Sequence, residues 1–67
     1  MLEIERHEMI LKKLEETGKL SYENIENFLN VSIATIRRDV EKLSKKDLLN
    51  KVNGGIVSKK RINFELE

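Results

Sequence analysis

The sequence of 67 residues predicts a mainly α domain of the α+β class, with three helices and a short C-terminal β-hairpin. Three observations support this prediction. Apolar residues recur at helical spacing in three segments, most of these segments begin or end at a capping residue, and an Asn-Gly pair separates two apolar-rich runs near the C-terminus. A chain this short buries only about 60% of its unfolded surface, so we expect a thin core and no deep substrate pocket.

The first helix is predicted over residues 3–17. Acidic residues occupy its first turns and lysines come later, an order that suits the helix dipole. Gly18 follows at the position where a helix favours a left-handed residue. His7 is expected to be a partly exposed helical histidine. No second histidine and no cysteine is available to form a metal site with it.

A short second helix is predicted over residues 22–29, after an extended link at residues 19–21. Asn30 follows it, and asparagine is, after glycine, the residue that best tolerates a left-handed turn. Only Asn30 and Val31 separate this helix from Ser32, a good N-cap for a third helix. Two helices joined by so tight a turn must cross steeply, which is the helix-turn-helix arrangement.

The third helix, predicted from residue 33 to about 46, is apolar on one side and basic on the other. Ile36, Val40 and Leu43 share its apolar face. The first two exposed turns offer a small residue, a hydroxyl and two arginines: Ala34, Thr35, Arg37 and Arg38. Because arginine can pair bidentately with guanine and a small residue permits close approach, this face is suited to reading bases in a major groove. A merely solvated basic face explains this helix alone equally well.

A hairpin is predicted at the C-terminal end, because Asn53-Gly54 lies between two apolar-rich runs. The main expected role of Gly54 and Gly55 is a tight turn, and a glycine tip would also let the backbone approach a phosphate or a minor groove. Lys51, Asn53, Lys59 and Lys60 surround this turn and its exit. Three helices and a two-stranded hairpin make a winged helix-turn-helix, predicted over residues 3–58, with the helix-turn-helix at about 20–39 and the wing at about 48–58.

Charge is distributed unevenly along the chain. Residues 1–30 carry a net charge of −3 and residues 31–64 carry +6, while the last three residues add −2 and leave a total of +1. The basic half begins where the third helix begins, which is typical of a surface that meets a polyanion. One histidine, no cysteine and no glycine-rich phosphate loop leave no basis for an enzyme, a metal or a cofactor. The apolar runs are too short to span a membrane, so a cytoplasmic location is expected.

The order of these residues resembles the N-terminal DNA-binding domain of the DeoR family of bacterial transcription regulators. The match rests on Val31-Ser32, on Thr35-Ile36-Arg37-Arg38-Asp39-Val40, on Leu48-Leu49 and on Gly54-Gly55, and it covers residues from about 3 to 58. Glu26, Asp47, Lys51 and Asn53 depart from residues common in the family, and the last two weaken the inference for the wing.

The resemblance implies that Thr35, Arg37 and Arg38 meet double-stranded operator DNA, with the hairpin as the wing. It also implies a larger C-terminal domain, absent from this chain, that binds a phosphorylated sugar and makes the protein a homo-oligomer. Residues 59–67 would then be the linker. The implied function is a regulator, and specifically a repressor, of a sugar or nucleoside metabolism operon.

The expected DNA-contacting set combines the third helix with the wing. It comprises Ser32, Ala34, Thr35, Arg37, Arg38, Lys42, Lys51, Asn53, Gly54 and Gly55. One arginine is expected to read a base and the other to hold a phosphate, and the sequence leaves open which does which. Asp39 is expected to pair with a basic neighbour such as Lys42 or to orient an arginine, and Tyr22 to be partly buried or bonded to phosphate. The alternative function is a protein-interaction module without DNA, which predicts an exposed apolar patch on the third helix.

Overall fold

A computed structural model describes residues 1–59 of the chain, which fold as three helices and a small sheet. The elements are α1 (Glu3–Thr17), β1 (Lys19–Ser21), α2 (Tyr22–Leu29), α3 (Ile33–Lys45), β2 (Asn50–Val52) and β3 (Gly55–Val57). This order is that of a winged helix-turn-helix and confirms the predicted fold class. The predicted linker lies outside the described residues except for its first position, Lys59.

Local signals place the helix ends where the sequence predicts them. Ser21 and Ser32 cap α2 and α3, their side-chain oxygens accepting the backbone N–H of Asn24 at 3.0 Å and of Thr35 at 3.3 Å. Gly18 and Asn30 end α1 and α2 in the left-handed conformation, with φ of 86° and 58°. The helix-turn-helix geometry therefore follows from the capping residues.

The sheet differs from the prediction because it has three strands rather than two. β3 is the central strand and pairs antiparallel with β1 on one side and β2 on the other, with Leu20 opposite Ile56. The segment 19–21 is therefore a strand and more than a connecting link. The physical reason is that Leu20 is buried in the core, and pairing with β1 satisfies the backbone of β3 on its second side.

A single apolar core joins all three helices to the sheet. Its members come from every element except β2 and from the loop after α3: Ile10, Leu14, Leu20, Ile25, Leu29, Ile36, Val40, Leu43, Leu49 and Ile56. The predicted apolar face of α3 is confirmed, since Ile36, Val40 and Leu43 are at most 1% exposed. This core holds α3 against α1 and α2 and leaves its opposite face in solvent. Of the helices within residues 1–59, none combines the length and the apolar character that crossing a lipid bilayer requires.

Candidate nucleic-acid interface

The exposed face of α3 carries the side chains that the sequence assigns to DNA contact. Ala34, Arg37, Arg38 and Lys42 are all exposed, and Thr35 is half-buried beside them. At 100° per residue, Arg38 lies close to the middle of the solvent face, opposite the buried residues of the helix. Arg37 and Lys42 lie on its two flanks. The helix thus presents one arginine centrally and one cation along each edge.

Arg37 is on the flank that faces α2. Its guanidinium carbon lies 5.7 Å from the centroid of the Tyr22 ring, within the range of a cation–π contact. Tyr22 is half-buried at the first position of α2, and its backbone N–H donates to the carbonyl of Gly54 at 3.1 Å. Partial burial of Tyr22, expected from the sequence, is what the structure shows. Tyr22 thus meets the third helix through its ring and the tip of the wing through its backbone.

Lys42 is on the opposite flank, which faces α1. Its ammonium donates a hydrogen bond to the carboxylate of Glu3, and this bond lowers the pKa of Glu3. Lys51 of the wing makes a similar bond to Glu41 of α3, which lowers the pKa of Glu41 and raises the pKa of Lys51. Both lysines were assigned to DNA contact from the sequence, and both already have a carboxylate partner.

Arg38 has no such partner. Within residues 1–59 its side chain takes part in no ion pair or hydrogen bond, unlike the neighbouring Lys42. It borders a small polar depression between α3 and α1 that also includes Thr35 and Arg6. The guanidinium of Arg38 can therefore bind a base edge or a phosphate without breaking a hydrogen bond or ion pair among residues 1–59.

Ser32 and Thr35 form a polar pair at the start of α3. Besides accepting the Thr35 N–H, the Ser32 hydroxyl lies 3.1 Å from the Thr35 hydroxyl, so the two share a hydrogen bond. The hydroxyl of a threonine in a helix can also bond to the backbone of its own helix. The structure instead pairs its hydroxyl with the cap, which fixes both oxygens at the N-terminus of the helix.

Asp39 is buried, and its partners lie on α1 rather than on α3. Arg6 donates to it through Nε at 2.6 Å and Nη2 at 3.1 Å, and His7 Nε2 lies 3.2 Å from Oδ1. Burial opposes ionisation of Asp39, but the hydrogen bonds from Arg6 and His7 outweigh it and the pKa of Asp39 is lowered. Asp39 thus pairs with a basic residue, as the sequence predicts, but the partner is Arg6 of α1 and not the suggested Lys42, which bonds to Glu3. The alternative that Asp39 orients an arginine also agrees with the geometry at Arg6.

The same contact corrects the expectation for His7. It is only 6% exposed, because its ring packs between α1 and α3 to reach Asp39. Ligand atoms of Glu3, His7 and Asp39 lie within 4.8 Å of one another, a spacing that a metal ion accepts. Arg6 and Lys42 already donate to these carboxylates, so the cluster is an ion-pair network. The sequence feature that could have indicated this network is Asp39, a carboxylate one helical turn after Ile36 on the buried side of α3.

The predicted DNA-contacting residues of the wing differ in their exposure to solvent. Lys51, Asn53 and Gly54 are exposed, and Gly54 has a φ of 80° with open space around it. Gly55 is buried, and a Cβ there would lie 2.3 Å from the backbone oxygen of Leu20. Gly54 is therefore available at the tip, whereas Gly55 serves the close approach of β3 to β1.

The face offers little to a protein partner. Ile33, 37% exposed at the first turn, is the single large apolar side chain that α3 exposes. The remaining positions of the exposed face of α3 are small, hydroxylated or charged. The apolar patch predicted by the protein-interaction alternative is thus not present on α3.

A capped helix with two outward arginines, a tight turn before it and a wing beside it define a winged helix-turn-helix DNA-binding domain. The chain belongs to the family of DeoR-like helix-turn-helix domains, whose family model matches residues 6–61.

Bacterial transcription regulators are among the chain's relatives. It is 42% identical over 55 residues to the L-fucose operon activator of Haemophilus influenzae, covering 82% of this chain and 22% of that protein. It is 43% identical over 53 residues to the glycerol-3-phosphate regulon repressor of the same organism, covering 79% and 21%. It is 37% identical over 65 residues to the uncharacterized HTH-type transcriptional regulator YgbI of Escherichia coli, covering 97% and 26%. The chain spans about a fifth to a quarter of the length of these relatives, and no solved structure gives a significant match.

Proposed function

We propose that this chain is the operator-binding domain of a bacterial regulator of sugar or nucleoside metabolism, and that α3 reads the operator through its exposed face. The observation that supports this most directly is the pair of adjacent arginines displayed outward from a helix that the core holds in place. Neither guanidinium is neutralised by a carboxylate within residues 1–59. Arginine side chains on a helix in the major groove can pair bidentately with guanine.

We propose repression as the mode of action, because a domain bound at an operator blocks it by occupancy alone. The relatives named above include one activator and one repressor. In this proposal the chain works within a longer cytoplasmic protein, whose further domain binds a phosphorylated sugar and brings two or more copies together. Residues 59–67 would connect the two domains. Two copies on repeated half-sites would supply the affinity that one small domain lacks.

The test begins with titration of the 67-residue chain by random duplex DNA at two salt concentrations. The proposal expects binding that weakens as salt rises, because cations that neutralise phosphates release counterions. Rounds of selection from the random pool should then enrich one sequence. The double variant Arg37→Ala, Arg38→Ala is the matched control and should enrich none. Absence of duplex binding at the lower salt concentration, or selection without an enriched sequence, would refute sequence-specific operator binding.

The sign of regulation needs a separate measurement. A reporter gene whose promoter overlaps the selected site should be expressed less when the chain is present. The Arg37→Ala, Arg38→Ala variant should leave expression unchanged. Increased expression with the wild-type chain would show activation and would refute repression while leaving operator binding intact.

A further inference from the structure

The two arginines of α3 differ in their surroundings. Arg37 has an aromatic partner, the Tyr22 ring 5.7 Å away, whereas Arg38 has no side-chain partner within residues 1–59. The two residues also differ in direction, since Arg38 lies near the middle of the solvent face and Arg37 lies about 70° from that middle, toward α2. The two adjacent arginines thus differ both in their contacts and in the direction in which they leave the helix.

The position of Tyr22 decides where the Arg37 guanidinium stands. Tyr22 is the first residue of α2, and α2 is the first helix of the helix-turn-helix. In this motif the second helix enters the major groove while the first helix crosses the phosphate backbone. When α3 lies in the major groove, a guanidinium next to the first residue of α2 is therefore close to the phosphates that border the groove. The wing tip lies on the same side, because the Tyr22 N–H donates to the Gly54 carbonyl.

We propose that Tyr22 is a positioning residue whose ring holds Arg37 at the edge of α3, where Arg37 binds a phosphate and leaves Arg38 to read a base. This assignment rests on the operator binding proposed above. The ring face attracts the cation and restricts its rotamers, so less conformational freedom is lost when phosphate binds. Tyr22 itself touches no base in this arrangement, and its influence on DNA passes through Arg37.

Three substitutions separate the ring from other properties of Tyr22. Tyr22→Phe keeps the aromatic face and removes a hydroxyl for which the described residues show no hydrogen bond. Tyr22→Leu removes the face and keeps apolar bulk. Both keep the backbone N–H that bonds to Gly54. Arg37→Gln supplies the background in which the ring has no cation to hold.

The first measurement needs no DNA. Protons near the Arg37 guanidinium should be shifted upfield by the Tyr22 ring current in the wild-type NMR spectrum and in Tyr22→Phe. The shift should vanish in Tyr22→Leu while the methyl resonances of Ile36 and Leu43 stay unchanged, which shows that the core is intact. An Arg37 side chain with the same shifts in wild type and in Tyr22→Leu would refute the contact.

The second measurement compares affinities for the selected duplex and for duplexes with single base-pair changes. Tyr22→Leu should bind all of them about two- to five-fold more weakly, the range of an exposed cation–π contact. Tyr22→Phe should match wild type, and Tyr22→Leu should have no further effect in the Arg37→Gln background. Arg37→Gln should lower the salt slope by about one unit without changing base preference, and Arg38→Gln should change base preference.

Several results would overturn the assignment. Unchanged affinity in Tyr22→Leu would remove the role of Tyr22, and an equal loss in the Arg37→Gln background would make that role structural. A changed base preference in Arg37→Gln would assign base reading to Arg37. These outcomes leave operator binding standing, because wild type still binds the selected duplex. Failure of wild type to bind any duplex is the different result that refutes the proposed function and this assignment with it.

Discussion

Asp39 of α3 accepts two parallel hydrogen bonds from the guanidinium of Arg6 on α1, at 2.6 Å from Nε and 3.1 Å from Nη2. The carboxylate is 1% exposed and the arginine side chain is 16% exposed, so the pair lies at the edge of the core. Asp39 directly follows the two arginines assigned to DNA. The ion pair therefore acts with the apolar core to hold the rotation of α3 about its own axis, and with it the direction in which Arg37 and Arg38 point.

Replacing Asp39 should destabilise the domain strongly. Asp39→Ala leaves the guanidinium of Arg6 and the ring of His7 without their shared acceptor, at a cost of about 2–4 kcal/mol in the free energy of unfolding. A domain of this size has only a few kcal/mol of stability, so much of the variant should be unfolded at room temperature. Urea unfolding followed by circular dichroism measures the difference.

Asp39→Asn removes the charge of Asp39 and keeps its size, and Glu41→Gln is the matched control for it. Like Asp39→Asn it removes one negative charge from α3, but Glu41 is exposed and its partner Lys51 is exposed too. Exposed ion pairs contribute little to stability. The urea midpoint of Glu41→Gln should therefore stay close to that of wild type. If Asp39→Asn were as harmless as Glu41→Gln, the buried network would have no structural role.

The lowered pKa of Asp39 predicts a loss of stability in acid. In the unfolded chain Asp39 has its ordinary pKa of 3.8, whereas in the folded chain the bonds from Arg6 and His7 hold it below that value. A lowered folded pKa stabilises the domain above the unfolded value, and the contribution is lost as pH falls from about 4 through the folded pKa. Urea midpoints of wild type and of Asp39→Asn, measured from pH 5 to pH 2, should therefore converge in acid.

Other acidic groups titrate in the same range and must be separated from Asp39. Glu3 and Glu41 also have lowered pKa values, set mainly by their bonds to Lys42 and Lys51. Glu41 titrates in both proteins, so its effect cancels in the comparison of wild type with Asp39→Asn. Glu3 feels the charge of Asp39, so the comparison is made in a Glu3→Gln background. A gap between the two proteins that stayed constant down to pH 2 would contradict the pKa shift assigned to Asp39.

The helices and the turn were predictable because their signals are local. Ser32, Gly18 and Asn30 act on the residues next to them, and each takes the conformation expected from its type. β1 was missed because three residues carry no measurable periodicity, and its partner strand lies more than thirty residues further along the chain. Asp47, which departs from the residue common in the family, adopts a left-handed φ of 63°, a conformation that glycine takes more easily.

The candidate site likewise combines features that depend on local sequence with features that depend on contacts between distant elements. The outward direction of Arg37 and Arg38 follows from helical periodicity, which the sequence contains. The ion pairs of Lys42 and Lys51 do not, because Glu3 and Glu41 reach them only once α1 and the wing have packed beside α3. Burial of His7 has the same origin, since its partner Asp39 comes from another helix.

The two glycines of the wing should respond differently to alanine. Gly55→Ala places a Cβ 2.3 Å from the Leu20 oxygen, a backbone atom that cannot move without parting β1 from β3. We expect a loss of about 1–3 kcal/mol in the free energy of unfolding, as for other overpacked sites. Gly54→Ala meets no atom and should lose only about 1 kcal/mol, through its φ of 80°. Urea unfolding measures the loss of stability in each variant. A larger loss in Gly54→Ala than in Gly55→Ala would contradict the close packing of β3 against β1 at Gly55.

Arg38→Ala tests the central arginine of the exposed face. Loss of a bidentate contact to a base should weaken binding to the selected duplex by more than 1 kcal/mol, within the range of about 1–3 kcal/mol for such contacts, and relax the preference at one base pair. Fluorescence anisotropy with the selected and substituted duplexes measures both effects. Lys12→Ala is the charge-matched control, because Lys12 borders the groove between α1 and α2. Equal affinities of Arg38→Ala and wild type would remove Arg38 from the interface.

Glu41→Gln should increase DNA affinity. Glu41 is an exposed carboxylate on the same face of α3 as Arg38, and it holds the ammonium of Lys51 in an ion pair. Near DNA this carboxylate repels phosphate and competes with it for Lys51. Its removal frees one cation for the backbone, so the variant should bind several-fold more tightly at low salt, with a salt slope steeper by about one unit.

Glu16→Gln is the control for Glu41→Gln. It changes the net charge of the domain by the same amount, but at the groove between α1 and α2, so it shows how much of the gain in affinity comes from net charge alone. If the wing contacts the DNA backbone, Glu41→Gln should gain affinity on every duplex alike, because a phosphate contact carries no sequence information. A gain restricted to one sequence would mean that Glu41 or Lys51 reads a base. Equal gains in affinity in Glu41→Gln and Glu16→Gln would mean that the net charge of the domain explains both. Lys51 would then not contact DNA.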